Sequence, residues 1–346
     1  MPNNHPKKRI LFFGGSITCG AGASDYAHAW PSLAFDRIGR ELYGENVEMV
    51  NASISGTGSH VGAFRLQEHV LPYHPDLVFV EFATNDRDAS VQTPDLVISG
   101  MDHIVQALKN SNPNVSIAFV YTTRQGVNAS AVHTVVAQHY GIPEIDLQTP
   151  LQAKMDTGKF TWSDFLIDTA HPNNNGHAFY AEQVACAVLS NKTRFLTPVK
   201  SAPPIAPFPM NHPHILYAKN AANMNGFALQ PISDTTTLKH LECLRVAQAA
   251  VSNQSGDTIV FRFAGEHFGV YHRIGKEGGR FSVTMDGVYM GEVNCYYPHR
   301  NDQGEYLSLF RRAPIGPGKH TVTLQTLEKS RESAGSNVSI VGIFIG

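Results

Sequence analysis

The sequence predicts an α/β domain built on a doubly wound parallel sheet, followed by a smaller antiparallel β-sandwich. Three observations predict it. Apolar runs of strand length alternate with helix-spaced stretches through the first two hundred residues. A proline-dense stretch then interrupts the chain. Short runs of alternating apolar residues follow to the end.

The strand-length runs lie at 10–13, 47–50, 77–82, 116–121 and 142–146. They show little polar alternation, as strands buried on both faces of a parallel sheet require. Helical spacing falls between and after them, at 30–42, 63–70, 96–108, 131–140 and 177–189. Residues 196–213 carry Pro198, Pro203, Pro204, Pro207, Pro209 and Pro213, a density that no helix or central strand survives. This stretch is a linker or a wrapping segment, so the expected division is 1–200 and 201–346. In the second part Ile259, Phe261 and Phe263 alternate with other residues, as do Phe281, Val283 and Met285. Asp286-Gly287 follows as a hairpin-turn dipeptide. Residues 320–327 and 338–345 close the chain in the same style.

Lys and Arg number 27 and Asp and Glu 29, a net charge of −2 over 346 residues. That balance lacks the basic footprint of a nucleic-acid binder or of a polybasic membrane anchor. No apolar run approaches the ~20 residues of a membrane span, and no secretory leader pattern opens the chain. The four cysteines, Cys19, Cys186, Cys243 and Cys295, have no metal-ligand spacing and read as thiols of a reducing compartment. A cytoplasmic location is the expectation. The oligomeric state is not legible.

Four short blocks carry candidate chemistry, and each follows a strand or opens a helix. Gly14-Gly15-Ser16-Ile17-Thr18 ends the first strand, and its glycines would let a serine hydroxyl stand exposed on a sharp turn. Asn51-Ala52-Ser53-Ile54-Ser55-Gly56 ends the second, where Gly56 can present a bare backbone N–H. Thr84-Asn85-Asp86 ends the third, where Asn85 can add a side-chain N–H. Asp168-Thr169-Ala170-His171 precedes the last helix, with the carboxylate three residues before the imidazole it could orient. Taken singly, each block reads more simply as a turn or a helix cap. Together they supply a nucleophile, a base, an orienting carboxylate and oxyanion donors, the set that acyl transfer needs.

These blocks, in this order, resemble those of the SGNH (GDSL-type) hydrolases over residues 8–190, and 51–56 is similar to the block of bacterial thioesterase/lysophospholipase members. The resemblance implies a flavodoxin-like sheet and a Ser-His-Asp triad of Ser16, His171 and Asp168. It also implies an oxyanion hole formed by the Ser16 N–H, the Gly56 N–H and the Asn85 side chain. No metal or organic cofactor is implied. Two departures stand out. Gly15 replaces the family's Asp, and Ala83-Thr84 replaces the glycine-rich lead into Asn-Asp.

Other residues invite weighing. Glu81 sits in an apolar run and needs hydrogen-bond partners, a structural role. Asp86 and Arg87 could line the site but read by default as a solvated loop pair, Cys19 as a small buried residue, and Trp162 as core or a pocket wall. His212-Pro213-His214 lacks further ligands for a metal. Tyr289, Tyr296, Tyr297 and Phe310 either fill the sandwich core or stack on sugar rings.

The resemblance implies an esterase acting on short acyl esters, with an acetylated carbohydrate as the leading substrate. A sugar O-acyltransferase and a thioesterase or lysophospholipase use the same site chemistry. An inactive carbohydrate-binding protein is the reading from another class, and the filled catalytic positions weigh against it.

Overall fold

A computed structural model describes residues 7–87, 93–125, 128–231, 248–298, 306–311 and 315–346, with the backbone alone for 306–311. The described chain divides into two compact units, the first ending at Pro209 and the second beginning at Met210.

The first unit runs β1 (Lys8–Gly14), α1 (Ser16–Cys19), α2 (Trp30–Tyr43), β2 (Val47–Asn51), α3 (Ser59–His69), β3 (Leu77–Glu81) and α4 (Pro94–Ser111). It continues β4 (Ser116–Tyr121), α5 (Ser130–Tyr140), β5 (Glu144–Asp146), α6 (Gln148–Asp156), α7 (Asn174–Ser190) and α8 (Lys192–Leu196). The five strands are parallel in the order β2-β1-β3-β4-β5, so the winding reverses at β1 and β3 and opens a crevice beyond their carboxyl ends. Ile10, Phe12, Leu77, Phe79, Ala118 and Val120 pack on α2 and α7. Between them Phe13 meets Phe82 and the Arg65 guanidinium of α3, and Phe119 meets His133 of α5. Successive strand residues thus bury on opposite faces, which is why their runs show no polar gaps.

Two helices escape the apolar periodicity. In α6 only Leu151 is buried, and α8 has five residues. Helix α3 begins four residues before its expected start because Ser59, His60, Val61 and Gly62 are all buried and offer no alternation to read.

The proline-rich segment wraps the first unit. The N–H groups of Val199 and Lys200 donate to Val115 and Tyr140 carbonyls at 3.0 and 3.4 Å. Those of Ile205 and Phe208 donate to Asp102 Oδ1 and Ser99 Oγ, both at 3.0 Å.

The second unit holds β6 (His214–Tyr217), β7 (Asn223–Asn225), β8 (Ala228–Pro231), β9 (Gln248–Ser252), β10 (Thr258–Ala264) and β11 (Phe268–Ile274). It ends with β12 (Arg280–Met285), β13 (Val288–Asn294), β14 (Tyr306–Arg311), β15 (Lys319–Leu327) and β16 (Val338–Ile345). One antiparallel sheet runs β13-β12-β15-β10-β7 and the other β14-β11-β16-β9-β8, with β6 also paired to β16. Ile259, Phe261, Phe281, Val283 and Met285 from the first sheet meet Val270, Ile340 and Ile343 from the second, forming the sandwich core. Asp286 and Gly287 take φ of +51° and +82° between Met285 and Val288, the two positive angles of a type I′ hairpin turn.

Candidate active site

Ser16 is the first residue of α1, directly beyond β1. Its Oγ lies 2.8 Å from His171 Nε2, and His171 Nδ1 lies 2.7 Å from Asp168 Oδ2. The other Asp168 oxygen accepts the N–H groups of Ala170 and His171, both at 2.8 Å. Burial works to raise this carboxyl, but the His171 N–H, the His171 ring and the Ala170 N–H outweigh it and hold it below its ordinary value. Side-chain exposure is 25% for His171 and 45% for Asp168. A carboxylate so solvated acts less through its charge than through geometry, because it fixes the hydrogen on Nδ1 and leaves Nε2 to face the serine.

Short-range structure shapes the His171 loop. Leu166 bridges to Pro172, Ile167 N–H donates to the His171 carbonyl at 2.9 Å, and Asn173 N–H donates to the Phe165 carbonyl at 2.9 Å. Asn173 then caps α7, its Oδ1 accepting from Asn175 and Gly176 N–H.

Contacts over 150 residues of sequence join this loop to the serine. Gly22 lies so close to Pro172 that an added Cβ would sit 2.1 Å from the Pro172 carbonyl oxygen. Ser24 N–H donates to Asn174 Oδ1 at 2.8 Å, and Asn174 Nδ2 donates back to Ser24 Oγ at 3.0 Å. His177 Nδ1 accepts Trp30 N–H at 3.2 Å, while its Nε2 lies 3.2 Å from the carbonyl of Ala21, whose own N–H donates to the Ser16 carbonyl. Burial lowers the His177 pKa to about 4 despite its bond to Ala21, and the His171 charge adds to the fall.

Gly15 packs against the Asn85 side chain and the segment that follows Gly56. A Cβ there would lie 2.1 Å from Asn85 Oδ1 and 3.3 Å from the Thr57 carbonyl oxygen. The lack of a side chain at Gly15 leaves room here for Asn85 and for the residue after Gly56. Gly56 itself is exposed with φ +73°, a left-handed conformation that favours glycine.

Beneath the turn, Glu81 is fully buried. Its two oxygens accept Thr18 Oγ1–H at 2.7 Å and Thr122 Oγ1–H at 2.8 Å, and it also accepts Gly15 N–H. Burial pushes its carboxyl up to about 7 against those three bonds, and the nearby Asp86 charge adds to the rise. Thr84 Oγ1 lies 2.8 Å from Thr122 Oγ1, so the second departure joins the same network. Arg65, 1% exposed, stacks on Phe13 and donates to the carbonyls of Ala52 and Gly14, tying the end of β1 to the loop after β2.

Sequence reasoning missed Gly22, Asn174, His177, Arg65, Thr18 and His133, whose partners lie on other elements, 13 or more residues away. It also placed Asp86 in solvent. Asp86 is 3% exposed and hydrogen-bonded on both oxygens, because α3 and α5 close over it. Arg87 is exposed as expected. Cys19 is buried, and Cys19, Cys186 and Cys295 are thiols, while Cys243 lies outside the described residues. Trp162 packs against the core of the first unit. Tyr289 and Tyr297 are exposed rather than core, Tyr296 is half-buried, and the side chain of Phe310 lies outside the described residues. His214 Nδ1 lies 2.8 Å from the His212 carbonyl oxygen, and no group of metal-ligating side chains forms among the described residues. No helix among them is long and apolar enough to cross a membrane.

A model of the GDSL-like Lipase/Acylhydrolase family matches residues 12–179. An arylesterase of Vibrio mimicus is 30% identical over 183 residues, covering 51% of this chain and 86% of that protein. Thioesterase 1/protease 1/lysophospholipase L1 of Escherichia coli K12 is 28% identical over 181 residues, covering 51% of this chain and 81% of that protein. Among solved structures, a two-domain esterase active on acetylated mannans, crystallised with mannopentaose, superposes with a TM-score of 0.79 at 20% identity. That likeness covers 98% of this chain and 90% of the other.

Proposed function

The chain belongs to the GDSL-like lipase/acylhydrolase family and is a carboxylic ester hydrolase, and on that premise we propose that it removes short acyl groups, chiefly O-acetyl, from a carbohydrate. The observation that carries the chemistry is the line from Ser16 Oγ through the His171 ring to Asp168, with spacings of 2.8 and 2.7 Å. In this reading Ser16 Oγ attacks the ester carbonyl carbon and its proton passes to His171 Nε2. Asp168 accepts the Nδ1–H and stabilises the imidazolium. The Ser16 and Gly56 N–H groups and the Asn85 side chain hold the oxyanion. Collapse breaks the C–O bond, and His171 returns the proton to the leaving alkoxide. Water, deprotonated by His171, then attacks the acyl-enzyme, and His171 returns that proton to Ser16 Oγ as its bond to the acyl carbon breaks and the carboxylic acid leaves. No step calls for a metal or cofactor.

The carbohydrate part rests on architecture. The likeness to the mannan esterase runs through both units, and Tyr289 and Tyr297 offer exposed aromatic faces on the sandwich for sugar rings. Residues 1–200 would carry the chemistry and 201–346 would assist in holding sugar. A thioesterase or lysophospholipase activity is the second reading, favoured by the likeness to the Escherichia coli protein.

A panel of p-nitrophenyl esters of increasing acyl length, acyl thioesters and acetylated mannan and xylan oligosaccharides tests this, with an acceptor sugar in parallel. Acetate release from the oligosaccharides, falling with acyl length on the synthetic esters, is expected. Preference for long acyl chains or thioesters overturns the substrate, and acylated acceptor sugar shows transfer instead. A serine-directed phosphonate should label Ser16, and labelling elsewhere overturns the mechanism.

A further inference from the structure

Asp86 is peptide-bonded to Asn85, and its carboxylate faces away from solvent, with no exposure of its side chain or of its partner His133. Asp86 Oδ1 accepts the backbone N–H of Ser59 at 2.9 Å. Ser59 opens α3, and its N-cap, Gly58, has no side chain to supply that acceptor. The three residues Gly56-Thr57-Gly58 therefore run straight into a helix whose first N–H is held by a carboxylate from the turn after β3. Helix termini need such partners, and a carboxylate suits the positive end of the helix. Asp86 Oδ2 lies 2.8 Å from His133 Nε2 on α5. His133 Nδ1 has no hydrogen-bond partner among the described residues. The ring sits edge-on to Phe119 and Tyr121. With the hydrogen on Nε2, donated to Asp86, only a lone pair is left unpartnered. The α5 end is itself anchored to the β3 turn, Ala129 N–H donating to the Ala83 carbonyl at 2.8 Å.

We infer that Asp86, braced by His133, is a positioning residue that sets the distance between the Gly56 and Asn85 oxyanion donors. One side chain, buried and hydrogen-bonded on both oxygens, links the segment after Gly56 to the residue after Asn85. Buried charges leave water only when partnered. If His133 is removed, Asp86 gains by turning toward water or toward another donor, and either movement pulls Asn85 and the start of α3 apart. A change of under 1 Å in such donors weakens transition-state binding while leaving ground-state binding intact. The inference rests on the oxyanion-hole reading given above.

The test is a double-mutant cycle of His133→Phe with Asn85→Ala, read as kcat and KM on p-nitrophenyl acetate in the full chain. Alone, His133→Phe should lower kcat by roughly 10- to 100-fold with KM within about twofold. In the Asn85→Ala background the same change should cost less than about threefold. His133→Gln, which keeps an N–H donor, should restore most of the rate. Equal losses in the two backgrounds, or a rise in KM alone, overturn the inference. If His133→Phe does not fold, Asp86→Asn replaces it in the same cycle with the same expectation. Asn85→Ala by itself separates the two readings. A wild-type rate there removes the oxyanion hole and this inference together, whereas a loss near 100-fold with an additive cycle overturns the inference alone.

Discussion

A methyl group on Gly15 would stand 2.1 Å from Oδ1 of Asn85. The nearest atom is the far end of a rotatable side chain, and the Thr57 carbonyl oxygen at 3.3 Å need give by only a few tenths of an ångström, so the fold yields chiefly by moving Asn85. Gly15→Ala should therefore leave the melting temperature almost unchanged and reduce kcat by roughly 10²–10³, the range for loss of one oxyanion donor. Steady-state kinetics with a thermal melt checks it, and an unchanged kcat would show that Asn85 does not touch the oxyanion.

Ser16 Oγ and His171 Nε2 are 2.8 Å apart. Ser16→Ala should lower ester turnover by roughly 10⁴–10⁶, and His171→Ala by a comparable factor. The double variant should be little worse than either, since the two act as one unit. A Ser16→Ala enzyme within tenfold of wild type would sink the nucleophile assignment.

Arg65 donates to the carbonyls of Ala52 and Gly14 from a site with 1% exposure. Arg65→Met keeps much of the stem and the packing on Phe13 but leaves both carbonyls without this donor. A loss of about 2–5 kcal/mol in urea unfolding of the first unit is expected. Because the carbonyls belong to the end of β1 and the loop after β2, phosphonate labelling of Ser16 should slow as well.

Stability should rise from about pH 4 to 6.5. Burial lowers His69 to about 3, with the Arg65 charge adding to the fall, and lowers His177 and His272 to about 4. Each binds a proton more readily when unfolded, so its contribution is complete above the unfolded value of 6.5 and fades as pH falls toward the folded one. Glu81 runs the other way. Burial raises it to about 7, so the folded state binds its proton more tightly and stability falls as pH climbs from 4.5. The histidines outnumber it, leaving a net of about two protons, each worth about 1.4 kcal/mol per pH unit. Urea midpoints across this range check the sign, and His272→Phe should make the slope shallower by one proton.

Local pattern made much of this protein legible. The five parallel strands, their long helices and the turn at Asp286-Gly287 follow from runs of neighbouring residues and from turn chemistry that acts over two to four positions. Asp168 and His171 are also local, since three residues of loop bring a carboxylate to Nδ1. Residues 196–213 announced their lack of helix but not their destination, which depends on the Val115, Asp102 and Ser99 acceptors offered by the first unit.

The sequence by itself determined which groups stand at the strand ends, because periodicity and glycine placement are properties of short segments. Only the tertiary structure decided that Ser16 meets His171, through Gly22 against Pro172 and Ser24 against Asn174, and that Asp86 is sealed between α3 and α5 rather than solvated. Those outcomes depend on desolvation and on hydrogen bonds between residues far apart in the chain. Neither leaves a periodic mark on the residues that make them.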